Sequence, residues 1–155
     1  MVARRAFVLI TALMVGVILL LLGMGFVGSQ ADRYRGVQRS AESAQARSLA
    51  VAGLEDARLK IQNDVLFPPP MAAGQTTFSY GERLDVGSPP IAGSYSVLIE
   101  TAYNVDPYYV LSITSIGSLG DPNQPTAQYR ITAEMDMRPG PRYCHYHHWE
   151  DETAP

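Results

Sequence analysis

The sequence predicts an α+β fold: one long N-terminal helix, transmembrane and then amphipathic, packed on a three- to four-stranded antiparallel meander sheet. Three observations carry this expectation. A run from Ala6 to Val27 holds no charged side chain. No proline occurs between Met1 and Phe67, where FPPP abruptly follows. Beyond those prolines the apolar spacing shifts from three and four residues to two, the change from helical to strand period.

The elements follow in order. Arg4 and Arg5 stand directly before the apolar run, and Thr11 is the only polar side chain within RRAFVLITALMV after them. About 22 residues at 1.5 Å each span roughly 33 Å as a helix, enough for the hydrocarbon core of a bilayer. The apolar core of a cleaved secretion signal is shorter, about 7–15 residues. Release of the downstream domain by a cut near Val27–Ser29 is the alternative to an anchor. Arg33, Arg35 and Arg39 flank the far end, so charge bias leaves the orientation open.

The segment SAESAQARSLAVAGLEDARLKIQND is rich in Ala, Leu, Glu and Arg, which favour helix. Ala46, Ala50, Gly53, Leu54, Ala57 and Ile61 fall on one stripe, and Arg47, Glu55, Asp56, Arg58 and Lys60 mostly lie off it. Small residues on that stripe let a second layer approach closely. The prolines at 68–70 stop the helix. A continuous rod from about Ala6 to Asn63 would be roughly 87 Å long, with Gly23, Gly25, Gly28 and Gly36 as points of bending.

In QYRITAEMDM, Tyr129, Ile131, Ala133, Met135 and Met137 alternate with polar residues, the pattern of a half-buried strand. SYSVLIETAYN and YYVLSITSI alternate in the same way, and TTFSY around Phe78 and Tyr80 is a shorter fourth candidate. NVDP at Asn104–Pro107 reads as a tight turn and GSLGDPNQP as a longer hairpin loop. A sheet this small needs a covering layer, which the Ala-rich stripe supplies. The resulting segments are 1–6, a leader; 7–28, the membrane helix; 29–66, the amphipathic helix; 67–140, the sheet; and 141–155, a C-terminal tail. Arg138 to Pro155 has no assigned structure.

Charge and chemistry narrow the function. Through Asp64 there are eight basic and five acidic side chains, and from Val65 onward four basic and ten acidic. A basic stalk with an acidic head argues against nucleic acid as the main partner. The single cysteine, Cys144, forms no internal disulfide. Cys144, His145, His147 and His148 are competent metal ligands, but their spacing matches no standard zinc motif. They read as incidental residues of a tail, and no metal or cofactor is expected. Tyr95, Tyr103, Tyr108, Tyr109 and Tyr129 read as core and cross-strand packing rather than a ligand platform. No phosphate loop or nucleophile elbow is present and all three histidines sit in the tail, so no enzyme is expected.

A basic N-terminus, a small residue followed by Phe, an apolar helix running into an amphipathic one and then a meander resemble, in this order, a type IV pilin. RRAFVLITALM resembles the class III prepilin signal, in which cleavage falls before Phe or Met. The resemblance implies cleavage by prepilin peptidase between Ala6 and Phe7, N-methylation of Phe7, and leader charge from Arg4 and Arg5. Ala6 stands where the family more often has Gly. Major pilins carry a glutamate at the fifth residue after the cut, where this chain has Thr11. That acid neutralises a neighbour's terminal amine in an apolar filament core, where an unpaired charge is costly. Its absence resembles the PilX-like minor pilins and the tip pseudopilin of type II secretion. Residues Ala46–Gln62 and the YVLSITSIGSLG…AQYRITAEM hairpin resemble the PilX-like group as well.

The implied function is that of a minor pilin or pseudopilin taking part in assembly of a type IV pilus-like or type II secretion filament, at its tip or its initiation. Implied partners are other pilin subunits through the N-terminal helix, prepilin peptidase, an inner-membrane assembly platform and the lipid membrane, with no nucleic acid. Such a subunit first sits in the inner membrane with its head in the periplasm, then enters the pilus or pseudopilus. The alternative is a single-pass inner-membrane protein with an exported, β-rich, partner-binding domain. On that reading Thr11 is a threonine tolerated in a membrane helix, bonded to its own backbone.

Overall fold

The computed structural model describes residues 2–64, 66–86, 91–121 and 124–153, with side chains from Leu13 onward except at Val27, Asp85, Val86, Ile91 and Thr153. Helix α1 runs Val2–Asn63 and is followed by β1 (Thr77–Val86), β2 (Ile91–Glu100), β3 (Val110–Asp121), β4 (Gln124–Asp136) and β5 (His145–Thr153). The chain divides into two compact units, residues 1–40 and 41–155.

In the first unit the apolar side chains of the helix are solvent-facing. Leu13, Leu19, Leu22 and Phe26 are each more than 60% exposed, an arrangement that water disfavours and a lipid or protein layer would satisfy. Mean hydropathy reaches 2.0 over its best 18-residue window, so the helix is long and apolar enough to cross a membrane.

In the second unit the end of α1 packs on one face of a five-stranded antiparallel sheet of order β1-β2-β3-β4-β5. Ala46, Leu49, Ala50, Leu54, Ala57 and Ile61 are buried on the helix, at the three- and four-residue steps expected. Facing them are Tyr95, Val97 and Ile99 of β2, Leu111 and Ile113 of β3, and Tyr129, Ile131, Ala133 and Met135 of β4. The other face carries Ser79, Ser96, Thr114 and Thr132 around Leu98 and Ile116, which leaves it wettable.

The helix approaches β3 closely because both sides are bare there. A side chain at Gly117 would run into the backbone of Ala46 and Ala50, and one at Gly53 would meet Ser115 and the Tyr95 ring. The approach strands one polar group: Ser115 Oγ is buried with no hydrogen-bond partner among the described residues.

The α+β arrangement of helix on antiparallel meander matches the sequence expectation, with three differences. The sheet has five strands, not three to four, because the segment given no assignment forms β5. GSLGDPNQP is mostly strand: β3 continues to Asp121, since Gly117, Ser118 and Leu119 are buried. The ladder shifts register between Leu119 and Gly120, where Gly120 has φ 94° and Thr126 Oγ1 donates to the Leu119 carbonyl at 2.9 Å. Finally, β2 ends at Glu100, so Thr101 and Tyr103 do not continue its alternation.

Candidate functional site

The candidate assembly segment is the first unit of α1. Arg4, Arg5, Ala6, Phe7 and Thr11 are all helical in backbone, and their side chains lie outside those described. Past them, Leu13 to Phe26 presents an unbroken uncharged surface around the helix. What that surface can do is enter hydrocarbon or pack against other apolar helices, since a helix satisfies its own backbone hydrogen bonds.

The head is fastened to the second part of the helix from both sheet edges. On the β1 side, Asp56 Oδ2 accepts hydrogen bonds from Lys60 Nζ at 2.7 Å and from Tyr80 Oη at 2.9 Å. Lys60 Nζ also lies 3.3 Å from Glu82 Oε1 and 4.2 Å from the Tyr80 ring centroid. On the β5 side, Tyr146 Oη donates to the Leu54 carbonyl at 2.9 Å, its ring beneath the Arg58 guanidinium at 6.0 Å. Arg47 Nη2 pairs with Asp151 Oδ2 at 2.8 Å, and Trp149 Nε1 donates to Asp151 Oδ1 at 2.7 Å. These two donors hold the Asp151 carboxyl below the usual carboxylate range, Arg47 contributing most. Tyr80 and Tyr146 thus work as clamps, and nothing in the sequence had singled out Tyr146.

Burial, followed by nearby carboxylates, raises the phenols of Tyr80, Tyr95 and Tyr146 above the ordinary tyrosine value. A phenol raised in the folded state contributes stability that is whole below pH about 10 and is lost as pH climbs past it. We therefore expect an alkaline titration followed by phenolate absorbance to show these three ionising only together with loss of the circular dichroism signal. Their ionisation in a chain that keeps its fold would contradict the clamp geometry.

The Cys/His group of the sequence does not come together. Cys144 is buried in the helix–sheet core at φ 57°, and burial pushes its thiol up, with Tyr143 and Arg58 opposing. The three histidines are exposed on separate partners. His147 Nε2 is 3.1 Å from Glu134 Oε2, His148 Nε2 is 3.0 Å from Glu150 Oε1, and His145 Nδ1 is 3.3 Å from the Tyr143 carbonyl. The Glu150 contact raises the His148 imidazole above its ordinary value. Among the described residues no three His, Cys, Asp or Glu side chains converge as a metal group.

The tyrosines divide. Tyr95 and Tyr129 are buried in the core, and Tyr109 is half-buried at φ 51°. Tyr103 and Tyr108, expected to pack in the core, are instead 59% and 57% exposed. The early end of β2 at Glu100 and the start of β3 only at Val110 put both on the β2–β3 connection rather than on the pleated face. Compared with protein-family models, with curated proteins and with solved structures, the chain matches none.

Proposed function

We propose that this chain is a minor pilin or pseudopilin, a structural subunit taking part in assembly of a type IV pilus-like or type II secretion filament. The carrying observation is one helix with two kinds of surface. Leu13–Phe26 is uncharged and exposed, whereas Ala46–Ile61 carries a small-residue stripe seated on an antiparallel sheet. Lipid and a filament core demand the same uncharged surface, so one segment serves first as inner-membrane anchor and later as a strut among other subunits. Prepilin peptidase removes residues 1–6, and Phe7 becomes the N-methylated start. Without a carboxylate at Thr11 the subunit cannot neutralise a neighbour's terminal amine, which suits an end of the filament, at the tip or at initiation.

Mass spectrometry of the mature N-terminus tests this reading. The expected result is a chain beginning at N-methylated Phe7 and recovered in sheared filaments. A chain still beginning at Met1 in cells with active prepilin peptidase would sink it. Retention in the inner membrane, with none in sheared filaments, would favour a single-pass protein that displays a partner-binding head.

A further inference from the structure

The β2–β3 connection, Thr101–Tyr109, is fixed by its own backbone. Asn104 N donates to the Thr101 carbonyl at 3.0 Å, Tyr108 N to Val105 at 2.8 Å, and Val110 N to Tyr103 at 3.0 Å. Met137 N of the chain after β4 donates to the Tyr109 carbonyl at 2.8 Å. On this held loop the Tyr103 and Tyr108 rings stand 84° apart with centroids separated by 6.2 Å. They share a cavity of about 460 Å³ with Val110 and Glu134. Exposed aromatic rings held open by a rigid loop are not needed for the core, which closes without them.

We propose that this corner binds a quaternary ammonium group, such as the trimethylammonium of choline. Two perpendicular rings, each about 4.5 Å from a shared cation, would have centroids about 6.4 Å apart, close to the separation observed. The lining side chains supply two tyrosine rings in an edge-to-face arrangement, an aliphatic wall and one carboxylate, and no cation. That set complements a positive charge clothed in methyl groups. A primary ammonium would need several acceptors to replace its hydration, and a sugar would need a fan of donors and acceptors. Glu134 is shared with His147, which meets it from β5 at 3.1 Å. Arg138, the cation bonded to the loop, is engaged at the Tyr108 carbonyl at 3.4 Å. The site belongs wholly to the head, and it stands whether or not the chain enters a filament.

Equilibrium dialysis of the full chain, in a detergent without choline, against radiolabelled choline tests the assignment. The expected result is saturable binding at one site, with the uncharged carbon isostere dimethylbutanol about tenfold weaker. Tyr103→Leu and Tyr108→Leu should each weaken binding about tenfold, Tyr108→Phe should preserve it, and Glu134→Gln should weaken it severalfold. Glycerophosphocholine binding tighter than choline would identify a lipid headgroup as the source, and the reverse order a free quaternary ammonium solute. Absence of saturable binding to either ligand overturns the proposal. So does equal binding of the isostere, or binding indifferent to both leucine variants in chains of unchanged circular dichroism.

Discussion

Gly117→Ala is expected to destabilise the head by about 3 kcal/mol, measured by urea unfolding of the full chain in detergent. The methyl group would lie 2.5 Å from the Ala50 amide nitrogen and still closer to the Ala46 carbonyl oxygen. Both are backbone atoms of the helix, so no side-chain rotation relieves the clash. Either α1 lifts from β3 or the strand buckles, and overpacking of this kind costs about 1–3 kcal/mol or more. Gly53→Ala provides the contrast. Its methyl would meet Ser115 Oγ at 2.5 Å, a hydroxyl that can rotate, and Tyr95 Cδ2 at 2.8 Å, a core ring that must shift, but no backbone atom within that range. Alanine also improves helix propensity there by about 1 kcal/mol. The Gly53 variant should therefore lose clearly less than the Gly117 variant. Equal losses would mean that the tight contact at Ala46–Ala50 does not set the helix–sheet spacing.

Much of this contact was readable in the sequence, and the reason is periodicity. The stripe from Ala46 to Ile61 and the alternation of Tyr129 through Met135 each repeat one surface, so burial on one side suffices to reveal them. The strand β5 hides for the opposite reason. Its helix-side residues, Tyr146, Trp149 and Asp151, pair with Met135, Ala133 and Ile131, positions on the buried face of β4. The spacing between 146 and 149 is three rather than two because the register shifts there, leaving His147 as an extra residue. One bulge is enough to erase a period-two signal, and the polar composition of HYHHWEDET then reads as a tail. The exposed pair Tyr103 and Tyr108 was missed through the converse error. An alternation that looks unbroken in SYSVLIETAYN stops at Glu100, before Tyr103, and the one in YYVLSITSI begins only at Val110, after Tyr108. The expectations for the leader, Phe7 and Thr11 rest on family resemblance alone, since apolar periodicity says nothing of a peptidase or of a missing acid.

Tyr146→Ala is expected to cost about 2 kcal/mol and to free β5 from the helix. Truncation removes a half-buried ring, its edge contact with Trp149 at 5.7 Å, and the hydrogen bond to Leu54. Tyr146→Phe isolates the last of these and should cost about 1 kcal/mol. Cys144 provides a reporter one step before the strand. Its thiol is fully buried and held protonated by that burial, so the folded chain should react with neutral thiol reagents only through opening. If Tyr146 is the clamp, labelling of Cys144 should accelerate about tenfold or more in the alanine variant, and only a few-fold in the phenylalanine variant. Unchanged labelling in the alanine variant would assign the anchoring of β5 to the Arg47–Asp151 pair instead. That pair should then show itself in acid. The depressed Asp151 carboxyl contributes above its unfolded value, near pH 4, and that contribution is lost as pH falls through the lower folded value. Labelling needs the thiolate, which is absent in acid, so hydrogen exchange reads this window. A β5 held by Tyr146 should keep its amides protected through it, whereas one held by Asp151 should lose protection.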